Sequence, residues 1–299
     1  MNLTLSYIIA THNRLPLLRI TLEKLIRELQ PDEEIVVVDG NSSDGSKEYL
    51  QHLFEKGKVH QFKSEPDRNQ AHAWNKAILI ARGTLIKKVI DDDVFCYRAI
   101  RKCKEYMLQN PQVDVVISND LSSLINDYKK MSKATRLPQF EKWRQGLVPS
   151  FTFSDVHMLI RRSALALIGL YNTSYVMMDW EYSLRISYLK ANIAYYTGYN
   201  ALSVWHPQTV SATRDMALIE KQGKRAHIFY EYAGDSAEIT TWSKLKIFVG
   251  KTLNYNKGRL SSSREANITD LGIIYDHFYN YLCKLNESEN FTFLPSQSD

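Results

Sequence analysis

Short apolar runs alternate with stretches of helical periodicity through the first third of the chain. Residues 3–11, LTLSYIIAT, are mostly apolar and rich in β-formers, the pattern of a strand buried on both faces. Over residues 14–30, Leu17, Leu18, Leu22, Leu25, Ile26 and Leu29 share one helical stripe. Residues 34–40, EIVVVDG, predict a second buried strand stopped by glycine. A helix is predicted from an N-cap at Ser43 or Asp44 to about Lys56. Residues 58–64 read as a third strand, 69–83 as a helix ended by Gly83, and 84–90, TLIKKVI, as a fourth strand.

Strand and helix alternating at these lengths predict a parallel sheet with helices on both faces. Ligands of such sheets bind beyond the carboxyl ends of the strands. Polar clusters fall in those places: Thr11 to Arg14, Asp39 to Asp44, Glu65 to Arg68, and Asp91 to Asp93. Four successive polar strand ends predict one crevice. Past residue 110 the pattern loosens. Residues 113–120 predict a strand, and 121–150 a long polar loop or insertion over the site. Residues 156–171 read as strand, short helix and turn, 179–191 as a helix, and IAYYTG and ALSVWHP as short strands. Residues 214–285 read as helical and basic, and the last dozen as frayed.

Composition narrows the class. The chain is 44% hydrophobic and 24% charged, which fits an ordinary globular protein rather than a disordered or fibrous one. A net charge of +5 permits an anionic partner, while the absence of an Arg/Lys tract argues against nucleic acid. Three cysteines, Cys96, Cys103 and Cys283, are odd in number and lack zinc-ligand spacing, so a reducing compartment is expected. No basic region precedes the first apolar run, and no run is long enough to span a bilayer. The expectation is a cytoplasmic protein, with any membrane contact peripheral and at the inner face.

Asp91, Asp92 and Asp93 pose the main chemical question. Like charges this close repel and raise one another's proton affinity. Either the cluster is an exposed turn or a cation holds it. Mg²⁺ and Mn²⁺ prefer carboxylate oxygens and are commonly shared with substrate phosphates. Asp39, ending a buried run, suits the N3–H of a uracil or thymine ring, or a cap or turn. Thr11, Asn13 and Arg14 could hold ribose and phosphate, and Arg68 is a second phosphate candidate. Asp179, at a helix start, is either an N-cap or a general base, with Glu181 as its neighbouring alternative. His206 ends an apolar strand and is either structural or a metal or phosphate contact.

The set IIATHNR, IVVVDGNSSDGS, SEPDRNQAHAWNKAILIARG, the acidic triplet and MMDWEYSLR, in this order and spacing, resembles the family 2 glycosyltransferases over about residues 3–210. The resemblance implies a GT-A fold, an α/β Rossmann-like mixed sheet flanked by helices. It also implies inverting transfer from a nucleotide-diphosphate-sugar, UDP-sugar foremost, to a glycan or lipid-linked acceptor, with a divalent metal. Carried onto this chain, the implied nucleotide contacts are Thr11, His12, Asn13, Arg14, Asp39, Asn41, Asp67, Arg68, Asp91 and Asp92. The implied metal ligands are Asp91, Asp93 and His206, and the implied base is Asp179. Bacterial surface polysaccharide assembly is the implied setting. Three departures stand out. Met178 replaces the acid that usually precedes the base, Ala71-His72 replaces the usual Arg-Asn, and the metal motif can be aligned on Asp91 and Asp93 or on Asp92 and Asp93.

The expected organisation is a catalytic domain over residues 1–213, with a nucleotide half to about 119 and an acceptor half beyond it. A basic helical extension would cover 214–299. Its cations, from Arg214 and Lys221 to Arg264, suit an anionic membrane surface, a packed subdomain or a homodimer contact. Three other readings compete. A nucleotidyltransferase should carry a glycine-rich loop after the first strand, which ATHNR lacks, and the dinucleotide fingerprint of a dehydrogenase is also absent. A catalytically silent nucleotide-sugar-binding scaffold of the same fold would be separated by its failure to turn over a donor.

Overall fold

A computed structural model describes residues 3–206, 216–232, 234 and 268–296. Its strands are β1 (Leu5–Thr11), β2 (Glu33–Asp39), β3 (Gln61–Ser64), β4 (Leu85–Lys88), β5 (Val94–Phe95), β6 (Val115–Ser118), β7 (Asp120–Leu124), β8 (Met131–Ala134), β9 (Met158–Arg161), β10 (Ile193–Tyr196), β11 (Ala201–Trp205) and β12 (Phe293–Pro295). Its helices are α1 (Leu15–Glu28), α2 (Ser46–Glu55), α3 (Gln70–Ile80), α4 (Tyr97–Gln109), α5 (Leu137–Arg144), α6 (Leu165–Ile168), α7 (Met178–Tyr188), α8 (Met216–Phe229) and, last in the chain, α9 (Ile268–Ser288).

Eight strands form the main sheet in the order β12-β10-β6-β9-β4-β1-β2-β3, and β5-β11-β7-β8 form a smaller one. β1 pairs in parallel with β2 and β4, and β2 with β3. The register brings Thr11, Asp39 and Ser64 into one row at the strand ends. Side chains alternate across the sheet, so one run feeds two cores. Tyr7, Ile9, Ile35 and Val37 pack with α1, α4 and α9 residues, whereas Ile8, Val36 and Val38 pack with Trp74, Ala77 and Ile78 of α3. That two-sided burial explains the near-continuous apolar runs.

The mixed α/β sheet is the expected fold class. Several local expectations need correction. The first four strands pair in parallel as expected, and the sheet becomes mixed where β9 runs antiparallel between β4 and β6. The chain leaves β6 at the site end, builds its next elements there and returns from that end, so the returning strand must run the other way. Residues 121–150 are not one long loop; they hold most of the β7–β8 pair and α5. α2 starts after Gly45, not at Ser43 or Asp44. α3 stops at Ala81, where ψ turns extended, before Gly83. Gly83 serves packing instead, since a Cβ there would lie 2.6 Å from the Ser6 backbone nitrogen. The chain's end is not frayed throughout, because β12 pairs antiparallel with β10. Phe293 stacks on Tyr106 at 4.1 Å and on Tyr196 at 4.8 Å between centroids.

Of the basic tail, Lys221, Lys224 and Arg225 are exposed on α8, and Arg214 and the positions from Lys244 to Arg264 lie outside the described residues. Among the described residues, no helix is long and apolar enough to cross a membrane. The three cysteines are unpaired, Cys96 and Cys103 buried and Cys283 exposed.

Candidate active site

The strand ends open on three cavities that share walls. The first, about 340 Å³, is lined by Thr11, His12, Arg14, Gly40, Asp67, Asn69, Gln70 and Asp91 with their apolar neighbours. Its rim is stitched from two loops. Asn13 and Asn41 take left-handed φ angles of 52° and 63°, which asparagine tolerates better than most residues. The Asn13 N–H donates to Ser42 Oγ at 2.8 Å, and the Ser43 N–H donates to Asn13 Oδ1 at 2.8 Å. Asp44 accepts from the Leu15 N–H at 2.9 Å and the Ser46 N–H at 3.0 Å, joining the starts of α1 and α2. The carboxylate thus caps a helix, but from a different position than the sequence suggests.

Asp39 lies beneath this rim, fully buried. Its carboxylate accepts from the Ser42 N–H at 3.0 Å, from the Ser42 hydroxyl and from the Ser64 hydroxyl at 2.6 Å. The cavity wall at this point is Gly40, where a Cβ would come within 3.1 Å of both Asp67 Oδ2 and His12 Nδ1. Asp67 is held by Lys76 Nζ at 2.6 Å. Asn41 and Arg68 are exposed and are not among the residues lining the three cavities.

The acidic triplet separates into three environments. The Thr11 hydroxyl donates to Asp91 Oδ2 at 2.6 Å, and Arg14 Nη1 reaches Asp91 Oδ1 at 3.2 Å. The same Arg14 nitrogen donates to Asp92 Oδ2, which also lies 2.7 Å from His206 Nε2. Asp93 accepts the Val204 N–H at 2.8 Å. Burial and the Asp92 charge push the Asp91 and Asp93 carboxyls up, Asp93 most strongly. Burial also works against Asp92, but the His206 hydrogen bond and the Arg14 charge overcome it, and its proton affinity falls below the ordinary carboxylate value. The middle aspartate is therefore the most acidic of the three. Backbone contacts hold the loop from both sides, Thr21 of α1 donating to the Asp91 carbonyl at 2.9 Å and Tyr275 of α9 to the Asp92 carbonyl at 2.6 Å.

This arrangement divides the expected metal set of Asp91, Asp93 and His206. Asp91 faces the first cavity and is engaged by Thr11 and Arg14, whereas Asp92 and Asp93 face the second. Among the described residues, no three carboxylate, imidazole or thiol groups converge as a ready cation cage. The guanidinium of Arg14 stands between Asp91 and Asp92, and Asp93 turns to the Val204 backbone. Asp92 is hydrogen-bonded to His206, which is not among the residues lining the three cavities. One or two carboxylates completed by phosphate oxygens is the usual Mg²⁺ arrangement.

The second cavity, about 210 Å³, runs from Arg14, Asp92 and Asp93 to Asp179, past Lys88 and Asp155. The third, about 550 Å³, lies on the far side of Asp179, Ser154 and Met177, which line both. Asp179 is the second residue of α7, after the N-cap position at Met177, and backbone N–H groups of that first turn favour its charged form. Burial, and then the Asp155 charge, raise its proton affinity against the opposing pull of Lys88. Glu181 is unavailable as the base, since Arg185 takes its carboxylate at 3.1 and 2.9 Å and Tyr230 bonds to it from the other side. Met178 is buried in the core beside Tyr182. The third cavity is walled by Arg136, Trp180 and residues of α8. A Cβ at Gly223 would lie 3.2 Å from the Trp180 ring, so glycine lets α8 close on that indole.

Two site residues escaped sequence reasoning, Lys88 and Asp155. Lys88 Nζ lies 2.6 Å from Asp155 Oδ2, with side-chain exposures of 6% and 3%. The available signal was in TLIKKVI, since a lysine inside a buried strand must find a partner.

A model of glycosyl transferase family 2 matches residues 6–169, more than half of the chain. Poly-β-1,6-N-acetyl-D-glucosamine synthase from Staphylococcus epidermidis is 25% identical over 203 residues, covering 64% of this chain and 47% of that protein. The chain thus spans about half the length of the curated relatives it matches. Among solved structures, residues 1–349 of S. aureus TarS in complex with UDP-GlcNAc superpose with a TM-score of 0.60 at 15% identity, covering 92% of this chain and 80% of that one. The mannosyltransferase PcManGT from Pyrobaculum calidifontis, in complex with GDP-Man and Mn²⁺, gives 0.53 at 14% identity, covering 97% and 89%. At these identities the structural likeness speaks for the fold.

Proposed function

The chain belongs to glycosyl transferase family 2, and we propose that it is an inverting enzyme that moves a sugar from a nucleotide-diphosphate-sugar to an acceptor hydroxyl. The observation that carries this reading is the row of three adjoining cavities with Asp179 on the wall between the second and third. The first suits the nucleoside, the second the diphosphate and sugar, and the third a glycan or lipid-linked acceptor. A UDP-sugar is the favoured donor, as the TarS complex carries UDP-GlcNAc and the curated relative is a poly-N-acetylglucosamine synthase. Surface polysaccharide assembly is the proposed setting.

Thr11, His12, Arg14 and Asp67 would contact the nucleotide. Asp39 acts from beneath by fixing Ser42 and Ser64, and with them the loop that carries Asn41. Asn13 locks the loops together. Arg14 reaches the diphosphate from its place at the junction of the two cavities. Asp92, Asp93 and His206 would hold a divalent cation, Mg²⁺ or Mn²⁺, which when bound neutralises charge on the leaving diphosphate. Asp179 accepts the proton of the acceptor hydroxyl as its oxygen attacks the anomeric carbon. The bond from that carbon to the diphosphate oxygen breaks as the new glycosidic bond forms, so a single displacement inverts configuration. The electron pair leaves with the nucleotide diphosphate.

The test is release of nucleotide diphosphate from UDP-GlcNAc, UDP-glucose, UDP-galactose and GDP-mannose, with Mn²⁺ or Mg²⁺, with and without glycan acceptors. Release that rises with an acceptor, together with an inverted product linkage, is the expected result. Nucleotide binding without turnover of any donor would instead indicate a silent scaffold.

A further inference from the structure

Two lysines end β4, and their side chains go to opposite faces of the sheet. Lys87 turns toward the carbonyls of Val156 and Met158 and to Asn200. Lys88 turns the other way, over the rings of Trp74 at 4.5 Å and Tyr171 at 5.5 Å, and meets Asp155. A buried ion pair of this kind is weak as a stabilising device, because apolar residues of similar volume commonly do as well or better. Its cost calls for another use.

Its position supplies one. Lys88 and Asp155 line the second cavity, between Arg14 and Asp92 at the phosphate end and Asp179 at the base. Under the proposed function, that is where the transferred sugar must lie. The Lys88 ammonium and the Tyr171 hydroxyl both donate to Asp155 Oδ2, at 2.6 and 2.7 Å. A carboxylate has about four lone-pair sites, and these two bonds take the Oδ2 side. An ammonium carries three donors, of which Asp155 takes one. A fixed acceptor thus stands beside a donor with protons to spare, which is the complement of a hydroxyl or a pair of neighbouring hydroxyls.

We propose that Asp155 and Lys88 form the subsite that recognises hydroxyl groups of the donor's sugar, with Tyr171 holding the carboxylate in place. This rests on the nucleotide-sugar reading of the site. Asp155 bonds the sugar hydroxyl as acceptor, and Lys88 donates to the same or the adjacent oxygen. The subsite selects a hexose that bears a hydroxyl at this place over one that lacks it, because the deoxy sugar would leave the hydrogen-bonding capacity of Asp155 and Lys88 toward the cavity unmatched. The sequence places the pair 67 positions apart, so only the fold brings it together.

The experiment is titration of UDP and of UDP-GlcNAc into wild type, Asp155→Asn, Lys88→Met and the double variant Lys88→Met/Asp155→Leu, with thermal melts for each. The double variant replaces both charges with apolar groups and so avoids a stranded ion that could block folding. The expected result is UDP affinity unchanged in every variant and UDP-GlcNAc affinity or turnover weakened about 10- to 100-fold, the worth of a hydrogen bond to a charged group. Equal weakening of UDP and UDP-GlcNAc, or no change in either, overturns the subsite while leaving the nucleotide reading intact. A folded wild type that binds neither UDP nor GDP overturns both.

Discussion

His206 Nε2 lies 2.7 Å from Asp92 Oδ2, across 114 positions of sequence. Arg14 reaches the same carboxylate oxygen, so two cationic or donor groups converge on the middle aspartate of three. Asp92→Asn removes the charge they converge on. The expected outcome is a loss of about 10²- to 10³-fold in donor turnover, the scale seen when one charge-stabilising group is removed. Chelation with EDTA should lower wild-type turnover, and Mn²⁺ should restore it. Restoration should need more Mn²⁺ in His206→Ala. Steady-state nucleotide release measures all three.

Asp179→Asn should reduce kcat by about 10²- to 10⁴-fold, the contribution of general-base catalysis, and leave UDP binding unchanged. A base must be unprotonated to act. Burial and the Asp155 charge hold the Asp179 proton affinity up, so kcat/KM should fall with decreasing pH through a value above the ordinary aspartate pKa of about 3.9. Asp155→Asn removes one raising influence and should move that acid limb to lower pH. A pH–rate profile with saturating metal reads the shift.

Lys87 couples stability to pH. Burial pulls its ammonium down to about 7. In the unfolded chain the value is about 10.4, so between these limits the unfolded state binds the extra proton and stability rises with pH. Below the folded value the penalty is complete. Wild-type Tm should therefore gain through mildly alkaline pH from this group, and Lys87→Met should flatten the slope. Thermal melts below the tyrosine range separate the two.

Gly83→Ala should destabilise the protein. The added Cβ would meet the backbone of β1 at 2.6 Å from Ser6 N and 2.7 Å from Leu5 C, and neither atom is the end of a flexible side chain. The expected cost is about 1–3 kcal/mol, as for other overpacked sites. Gly272→Ala, in α9 with nothing within 4 Å, is the control and should gain about 0.5–1 kcal/mol from lower backbone entropy. Denaturant unfolding of the two variants tests the contrast.

The first half of the fold was legible because its information is local. Each strand of EIVVVDG or IIAT type is followed by its own helix, and parallel packing puts the strand ends in a row whatever lies further along. The direction of β9 depends on how the chain returns from an excursion of about 40 residues, and β12 depends on aromatic partners such as Tyr106 and Tyr196 far upstream. Neither leaves a periodic trace. The site divides along the same line. Thr11, Arg14, Asp67 and Asp91 stand at predicted strand ends and line one cavity. Asp179 was found by its apolar approach and helix start, but Asp155 sits in DVH, which has no pattern of its own. Asp39 was placed at the end of a buried run; of the serines that occupy its carboxylate, Ser42 is local in sequence, whereas Ser64 follows from the register with β3.

The hydrogen bond from Tyr275 to the Asp92 carbonyl spans 183 positions. A ribosome therefore completes the nucleotide-facing strands long before it makes the side chain that braces the acidic loop. A product cut short before α9 would lack this support and also the α9 side chains that share a core with Tyr7 and Ile9. The brace of the acidic loop is thus the last part of the candidate site to be synthesised.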